Sequence, residues 1–177
     1  MRKMRGGPAG AGGAIPMTRP VSPAPTLASA AGFAHAVYTP DQRRAVEIDA
    51  AHQDQLVAWL SKRMGAAMRP PHLQALGYAL EGGRLLPGGA GPVAQFMYRD
   101  AGGTRLTLYV SNEVADLESG KSDPGTAFRF AQQGELTVFY WVDGPFGYAI
   151  SAAADREALA GVSAEVYRQL SAAGVGK

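Results

Sequence analysis

Hydrophobic and polar positions divide the chain into a tail, a folded body and a short end. The first 32 residues are built from Gly, Ala, Pro, Ser and a few Arg, without helical or strand periodicity. Such a composition buries too little apolar area to offset the entropy lost on ordering. We therefore expect a disordered tail over residues 1–34, one domain over 35–172 and a flexible end over 173–177.

The first regular pattern of the body is helical. Apolar residues recur at helical spacing after Asp49, a candidate N-cap, and Gly65 supplies a stop. This predicts a helix over roughly residues 50–64, after a short strand candidate in "RRAVEIDA". The Pro pair in "RPP" bars its continuation. The apolar stripe consists of Leu56, Val57, Leu60 and Met64.

From residue 76 the pattern changes to short strands and tight turns. "GYALEGGRLLP" predicts two strands around a Gly82–Gly83 turn, because glycine adopts the positive φ that hairpin turns need. "VAQFMYRD" and "TRLTLYVS" predict a second pair joined by "AGG", with one face of the sheet buried. Residues 112–125 are polar and contain Gly and Pro, so they predict a surface loop.

Three more strands and a helix complete the predicted fold. "TAFRFAQ", "LTVFYWVD" and "GYAIS" read as strands, and "DREALAGVSAEVYRQL" as a helix that Asp155 caps, with Leu159, Val162, Val166 and Leu170 forming its apolar stripe. This order predicts an α+β domain with an antiparallel sheet of about six strands and helices packed on one face.

The segment "VFYWVDGPFGYAIS" concentrates aromatic residues and raises two alternatives. Both faces of "LTVFYWVD" are apolar, which is typical of a strand covered on both sides. Asp143, Gly144 and Gly147 would form a turn that Pro145 stiffens, so a core with a tight turn is the favoured interpretation. The alternative is an aromatic ligand pocket.

Charge and composition narrow the classes of function. The net charge of +2 comes from the tail, where the first 20 residues carry four basic and no acidic side chains, leaving 13 basic against 15 acidic afterwards. Because the body's charges are dispersed, we expect no nucleic-acid partner. The absence of cysteine excludes disulfides and thiolate chemistry. "TLASAAGFAHAVY" is too short to span a membrane.

The motifs that would indicate an enzyme are incomplete. "GKS" lacks the first Gly of a phosphate loop, where Ala115 stands, and "GGAGP" lacks dinucleotide-loop spacing. The three histidines have no ligand spacing, no serine lies in a nucleophile elbow, and the acidic residues of 113–123 lack the pattern of a calcium loop. We expect no catalytic residue, metal site or cofactor.

Several segments together resemble the extracytoplasmic region of proteobacterial transmembrane anti-sigma factors. None is chemically diagnostic, and the resemblance lies in their combination and order over most of residues 35–170. The segments are "HAVY", "VAWLSKRMG", "GYALEGGRLLP", "GPVAQFMYRD", "RLTLYV", "FRF" and "VFYWVDGPFGYAIS".

The resemblance implies a regulatory module on the periplasmic side of the inner membrane. In that family a cytoplasmic helical domain binds an extracytoplasmic-function sigma factor, and one transmembrane helix leads to the periplasmic domain. This chain has neither segment, so any sigma-factor contact is expected only through a part absent here, and the chain alone is expected to be soluble. Either a truncated product or misassigned start, which is the favoured explanation, or a relative that has lost its front half would account for the difference.

Two functional hypotheses follow. The first is a non-enzymatic regulatory domain that controls transcription and binds a periplasmic protein or protease through a strand edge or a turn, with Asp143, Gly144, Pro145, Phe146, Trp141 and Tyr148 as the candidate surface. The second is a stand-alone module that holds a small apolar ligand or lipid between walls formed by Trp141, Tyr148 and Phe96.

Overall fold

The computed structural model describes residues 26–41, 43, 45–89, 91–112 and 128–174. Three α-helices and seven strands lie in these ranges. The helices are α1 (Leu27–Tyr38), α2 (Gln53–Met64) and α3 (Arg156–Ala172). The strands are β1 (Ile48–Asp49), β2 (Tyr78–Pro87), β3 (Pro92–Asp100), β4 (Arg105–Ser111), β5 (Arg129–Gln133), β6 (Leu136–Asp143) and β7 (Phe146–Ala152).

The strands form one antiparallel sheet in the order β1-β2-β3-β4-β7-β6-β5. The predicted α+β class is confirmed, with seven strands where about six were expected. Hairpins join β2 to β3, β3 to β4, β5 to β6 and β6 to β7, while β4 pairs with β7 across the centre. β4 and β7 are buried along their whole length.

Helices cover both faces of the sheet, whereas the sequence predicted helices on one face. α2 and α3 enclose the larger core, which contains Trp141 and Tyr148. α1 covers the opposite face and packs on Val138 and Ala149 in a second, smaller core. The prediction that β4 buries only one face was wrong for the same reason, since α1 lies over its other face.

The helix α1 begins upstream of the predicted domain start at residue 35. Thr26 caps it by accepting a hydrogen bond from the Ser29 amide at 3.1 Å, and Leu27 and Ala31 are buried against the sheet. The alanine-rich composition predicted disorder over this segment. The small side chains nevertheless let the helix lie close to the strands. Its residues are therefore buried by contact with the sheet, although they carry no large side chains of their own at most positions.

The other two helices match the predictions closely. A 3₁₀ turn, Ala50–His52, leads into α2, and Gly65 ends it at a φ of 70°. Asp49 makes no capping bond and instead contacts His52 Nδ1 at 2.8 Å. Asp155 does cap α3, accepting a bond from the Ala158 amide at 2.7 Å, and the predicted stripe is buried.

The Gly82–Gly83 pair lies within a strand, so the predicted hairpin turn there was wrong. β2 runs unbroken through both glycines, with an irregularity in register between Leu80 and Gly82. β1 pairs on its outer side with these glycines. A Cβ on Gly82 would lie 2.2 Å from the Ile48 carbonyl oxygen, so the glycine here permits close approach of two strands.

The hairpin turn between β6 and β7 was predicted more accurately. Asp143 pairs with Phe146, which leaves Gly144 and Pro145 as a two-residue loop, and Gly144 has the positive φ of 58° that such loops require. Gly147 lies in β7 rather than in the turn. The predicted surface loop at 112–125 lies outside the described residues, apart from Asn112.

Candidate functional site

The predicted interaction surface at the β6–β7 turn is mostly interior. Trp141, Phe146 and Tyr148 are buried, whereas Gly144 and Pro145 are exposed and Asp143 is half-buried. The strand alternation places the aromatic rings toward α3, and the turn projects only its two loop residues into solvent. A partner that binds here would contact the loop backbone rather than the rings.

The aromatic rings of this stretch pack on one another. Trp141 stacks on Tyr148 with centroids 5.4 Å apart and an interplanar angle of 14°, and Phe128 meets the Trp141 ring edge-on at 5.2 Å. Tyr167 of α3 packs edge-on against Phe128 at 5.6 Å. Burial, and secondarily Asp143, raises the pKa of Tyr148 to about 12. Trp141 and Tyr148 therefore lie in the core beneath α3, with the partly buried Tyr167 and the more exposed Phe128 packed against them.

Phe96, the third wall of the predicted ligand pocket, is also buried in this core. Tyr98 beside it donates its hydroxyl to the Pro71 carbonyl at 2.8 Å, and burial raises its pKa well above the usual value. The three predicted walls line one packed interior. A cavity lined by described residues lies on the opposite face of the sheet, against α1.

The outer strand β5 presents a different kind of surface. It is the last strand of the sheet in the described residues and pairs only with β6 there. Phe130 is partly exposed and packs under the Arg156 guanidinium, whose Cζ lies 4.5 Å from the ring centroid. An outer strand offers backbone donors and acceptors to a further extended segment.

The register of the β5–β6 hairpin decides which backbone groups face outward. A two-residue turn makes Gln133 and Leu136 the closing pair. Such a pair is hydrogen-bonded, and bonded and non-bonded pairs then alternate along an antiparallel ladder. The amide and carbonyl groups of Phe130 and Gln132 therefore point away from β6, toward the open edge.

A buried polar cluster fastens the C-terminal end of α1 to the sheet. We call His35, Thr39, Glu81, Arg105 and Thr107 the α1 clamp. His35 Nδ1 lies 2.9 Å from Thr107 Oγ1, and the Arg105 guanidinium donates to the Thr39 carbonyl and, at 3.1 Å, to the Asp41 carbonyl. Glu81 accepts from Arg105 Nε at 2.9 Å, which holds this guanidinium in place.

Electrostatics in the α1 clamp favour a neutral histidine. Burial, with a smaller contribution from the positive charge of Arg105, lowers the pKa of His35 to about 4. Glu81 also lies 2.8 Å from Arg99 Nε, but that nitrogen lacks an aligned hydrogen bond, so the contact is Coulombic. Arg105 is thus the cation that Glu81 positions.

An open groove of roughly 700 Å³ runs beside α1. Its walls combine apolar and polar groups from α1, the β5–β6 turn and the segment after β7, and the residues that matter below are Gly32, Phe33, His35, Gln133 and Glu135. Phe33 is 71% exposed, which makes it the most exposed large apolar side chain in the described part of the chain.

The other candidate chemical groups of the sequence are dispersed. His52 pairs with Asp49 on the surface, and the His72 backbone exchanges two 2.8 Å bonds with the Gln169 side chain. Within the described ranges, no three His, Asp or Glu side chains converge as a metal site would require. The "GKS" and acidic loop segments lie outside those ranges.

Comparison of the chain with protein-family models, with curated proteins and with solved structures finds no match in any of the three. Among the helices that the structure describes, none is both long enough and apolar enough to cross a bilayer.

Sequence reasoning missed the α1 clamp and the outer strand. Arg105 and Thr107 alternate with Leu106 and Leu108, so the sequence assigned them to a solvent-facing side of the sheet. One signal was present: α1 contains a single histidine, His35, in a segment that is otherwise mostly alanine and apolar residues and carries no Asp, Glu, Lys or Arg. Such a residue requires a polar partner when the helix is buried.

Proposed function

We propose that this chain is a non-enzymatic regulatory domain, the extracytoplasmic part of an anti-sigma factor that controls an extracytoplasmic-function sigma factor. The observation that carries the proposal is where the resembling segments lie. They occupy the end of α1, part of α2, and β2, β3, β4, β5 and the β6–β7 hairpin, which are six of the seven strands of one continuous sheet. The resemblance thus extends through most of the sheet and is not confined to one motif.

Genetic deletion tests this function. Removal of the coding gene from its own cells is expected to raise transcription from promoters of one extracytoplasmic-function sigma factor, because the sigma factor is no longer held. Reintroduction of the gene, together with any cytoplasmic and membrane segments joined to it, is expected to restore the low level. Unchanged transcript levels across all such promoters would argue against the proposal.

The outer edge of β5 supports a mode of partner binding. A protein segment that adds as a further strand would bond to the outward amide and carbonyl groups of Phe130 and Gln132. Its side chains would lie beside the Phe130 ring and Arg156. Regulation would then follow from occupancy of an edge strand, with no chemical step.

A proline substitution isolates this edge. Gln132→Pro removes the outward amide, while the inward bonds of Ala131 to β6 remain, and proline is tolerated on the open side of an outer strand. Gln132→Ala is the matched control, since both changes remove the Gln132 bonds to Gly134 and Thr137. We expect the proline variant to bind its partner about tenfold or more weakly than the alanine variant does. Titration with the partner protein that the wild-type chain captures gives the two dissociation constants. Equal affinities would exclude the β5 edge.

A further inference from the structure

The way α1 packs on the sheet sets it apart from the other two helices. α2 and α3 bury Leu, Met and Val side chains in the larger core. α1 buries Ala28, Ala31, Gly32 and Ala34, with Leu27 as its one large aliphatic anchor. Because the stabilisation from burial scales with apolar area, α1 gains little from packing for each residue it orders.

The face beneath α1 also contains polar groups that a dry interface does not favour. Ser151 on β7 and Gln95 on β3 are fully buried on the side of the sheet that α1 covers, and among the described residues neither the Ser151 hydroxyl nor the Gln95 amide has a hydrogen-bond partner. Each unsatisfied buried group costs free energy relative to its hydrated state. Exposure of this face to water would recover part of that cost.

Specific polar bonds hold the helix at its two ends. At the C-terminal end, the α1 clamp bonds His35 to Thr107 and the Thr39 carbonyl to Arg105. At the N-terminal end, Gln133 of β5 donates to the Ala28 carbonyl at 3.1 Å. The outer face of α1 is apolar and exposed at Phe33 and Val37, so nothing in the described chain covers the helix from outside.

The contact with Gln133 joins α1 to the outer strand. Gln133 is the last residue of β5, and its side chain fits over Gly32, where a Cβ would lie only 2.1 Å from Gln133 Oε1. The docked helix therefore restrains the end of β5, which has only β6 as a described strand neighbour.

We propose that α1 is a releasable helix: the α1 clamp holds it on the sheet, it opens without unfolding of the central strands, and its docking orders the β5 edge. Opening exposes the polar face that contains Ser151 and Gln95 and removes the Gln133 restraint. The fold thereby contains a two-state element, with an ordered edge when α1 is docked and a looser edge when it is released. This inference stands independently of the proposed function.

Amide hydrogen exchange on the full chain at pH 7 tests the proposal. We expect the α1 amides to exchange faster than the amides of central β4 and β7, because α1 opens while those strands stay folded. Thr107→Val removes the partner of His35, and should raise α1 exchange about tenfold, with a parallel rise at β5 and no change in α3. If α1 exchanged only as fast as the β4 centre, release without global unfolding would be refuted.

Two controls separate release from general destabilisation. Thr137→Val removes a partly buried bond, to the Ala154 carbonyl at 2.8 Å, on the sheet face away from α1, and should leave α1 exchange relative to the core unchanged. Because Thr137 also bonds the Gln132 side chain of β5, this variant serves as a control for α1 exchange alone. Equal effects of the two valine variants on all regions would overturn the clamp. If Thr107→Val accelerated amide exchange in α1 but not in β5, the proposed coupling between α1 and the β5 edge would be wrong.

A second pair of variants tests the coupling at the other end of α1. Gly32→Ala favours helix formation but displaces the Gln133 side-chain amide, so β5 exchange should rise while α1 stays folded. Gly161→Ala in α3 meets no atom within 4 Å and is the matched control, which should leave β5 exchange unaltered. Unchanged β5 exchange in Gly32→Ala would contradict the proposed link.

Discussion

Gly82 illustrates how a single residue determines the arrangement at one edge of the sheet. Its φ of 150° and the backbone of β1 both exclude a side chain, since a Cβ would lie 2.2 Å from the Ile48 carbonyl oxygen. A backbone atom cannot swing aside as a flexible side chain can. The glycine therefore fixes the close pairing of β1 and β2.

Substitution of Gly82 should be costly. We expect Gly82→Ala to lower the free energy of unfolding by about 3 kcal/mol or more, because it adds a backbone clash to an unfavourable φ. Gly103→Ala has the φ penalty alone, as no atom lies within 4 Å, and should cost about 1–2 kcal/mol. Urea unfolding measures both, and equal losses would contradict the role assigned to the β1 contact.

His35 makes the stability of the chain depend on pH. Its pKa is about 4 in the folded chain and about 6.5 when unfolded, so the unfolded state binds more protons between these values. The stability is fully present above pH 6.5 and is lost as the pH falls toward 4, by up to about 3 kcal/mol. The charged groups near the ring are Arg105 on β4, Glu81 behind it on β2, and Glu135 in the shared groove.

The contribution of His35 can be separated from that of the carboxylates. His35→Gln keeps a polar side chain that can reach Thr107 but does not titrate, so its unfolding free energy should fall less steeply between pH 6.5 and 5 than that of the wild type. His52→Gln, on the exposed surface, should keep the wild-type slope. Parallel slopes for His35→Gln and the wild type would show that His35 titrates normally.

At the scale of elements, the β6–β7 hairpin separates core from surface within a few residues. Trp141 and Tyr148 stack inside, whereas Gly144 and Pro145 form the exposed loop. The aromatic concentration that the sequence displays is thus explained by two neighbouring strands that share one buried row beneath α3.

Truncation of this row should be far more damaging than changes to the loop. We expect Trp141→Ala to lower the free energy of unfolding by about 3–5 kcal/mol, since it leaves a cavity beneath α3. Pro145→Ala should cost less than about 1 kcal/mol. Chemical denaturation followed by circular dichroism compares them, and a near-neutral Trp141→Ala would indicate an open pocket instead of a packed core.

For the whole molecule, the sequence predicted most elements but not their layering. The periodicity of "EALAGVSAEVYRQL" and the cap at Asp155 gave α3 correctly, because local pattern and burial agree there. α1 was missed since its alanines bury little area by themselves, and their burial depends on a sheet face that is distant in sequence. The prediction of a turn at Gly82–Gly83 was wrong because glycine is favoured both where two strands approach closely and where a turn forms.

The candidate surfaces were harder to predict than the fold. The α1 clamp joins His35 to Thr107, 72 positions apart, and no local spacing reveals such a pair. Only the strand order of the sheet identifies β5 as an outer strand. The hydrophobic pattern of a sequence does not distinguish an outer strand from an inner one of equal length. The turn at Gly144 and Pro145 was predicted from the sequence, but the aromatic side chains of the predicted surface face the interior.

The most direct test of the account is isolation of the native protein from its own cells. A tag after the last residue, followed by membrane fractionation, gives its intact mass, N-terminus and bound partners. The account predicts a membrane-bound species that carries a helical domain ahead of this one and co-purifies with an extracytoplasmic-function sigma factor. A species outside the membrane fraction that begins at Met1 and binds no sigma factor would contradict it.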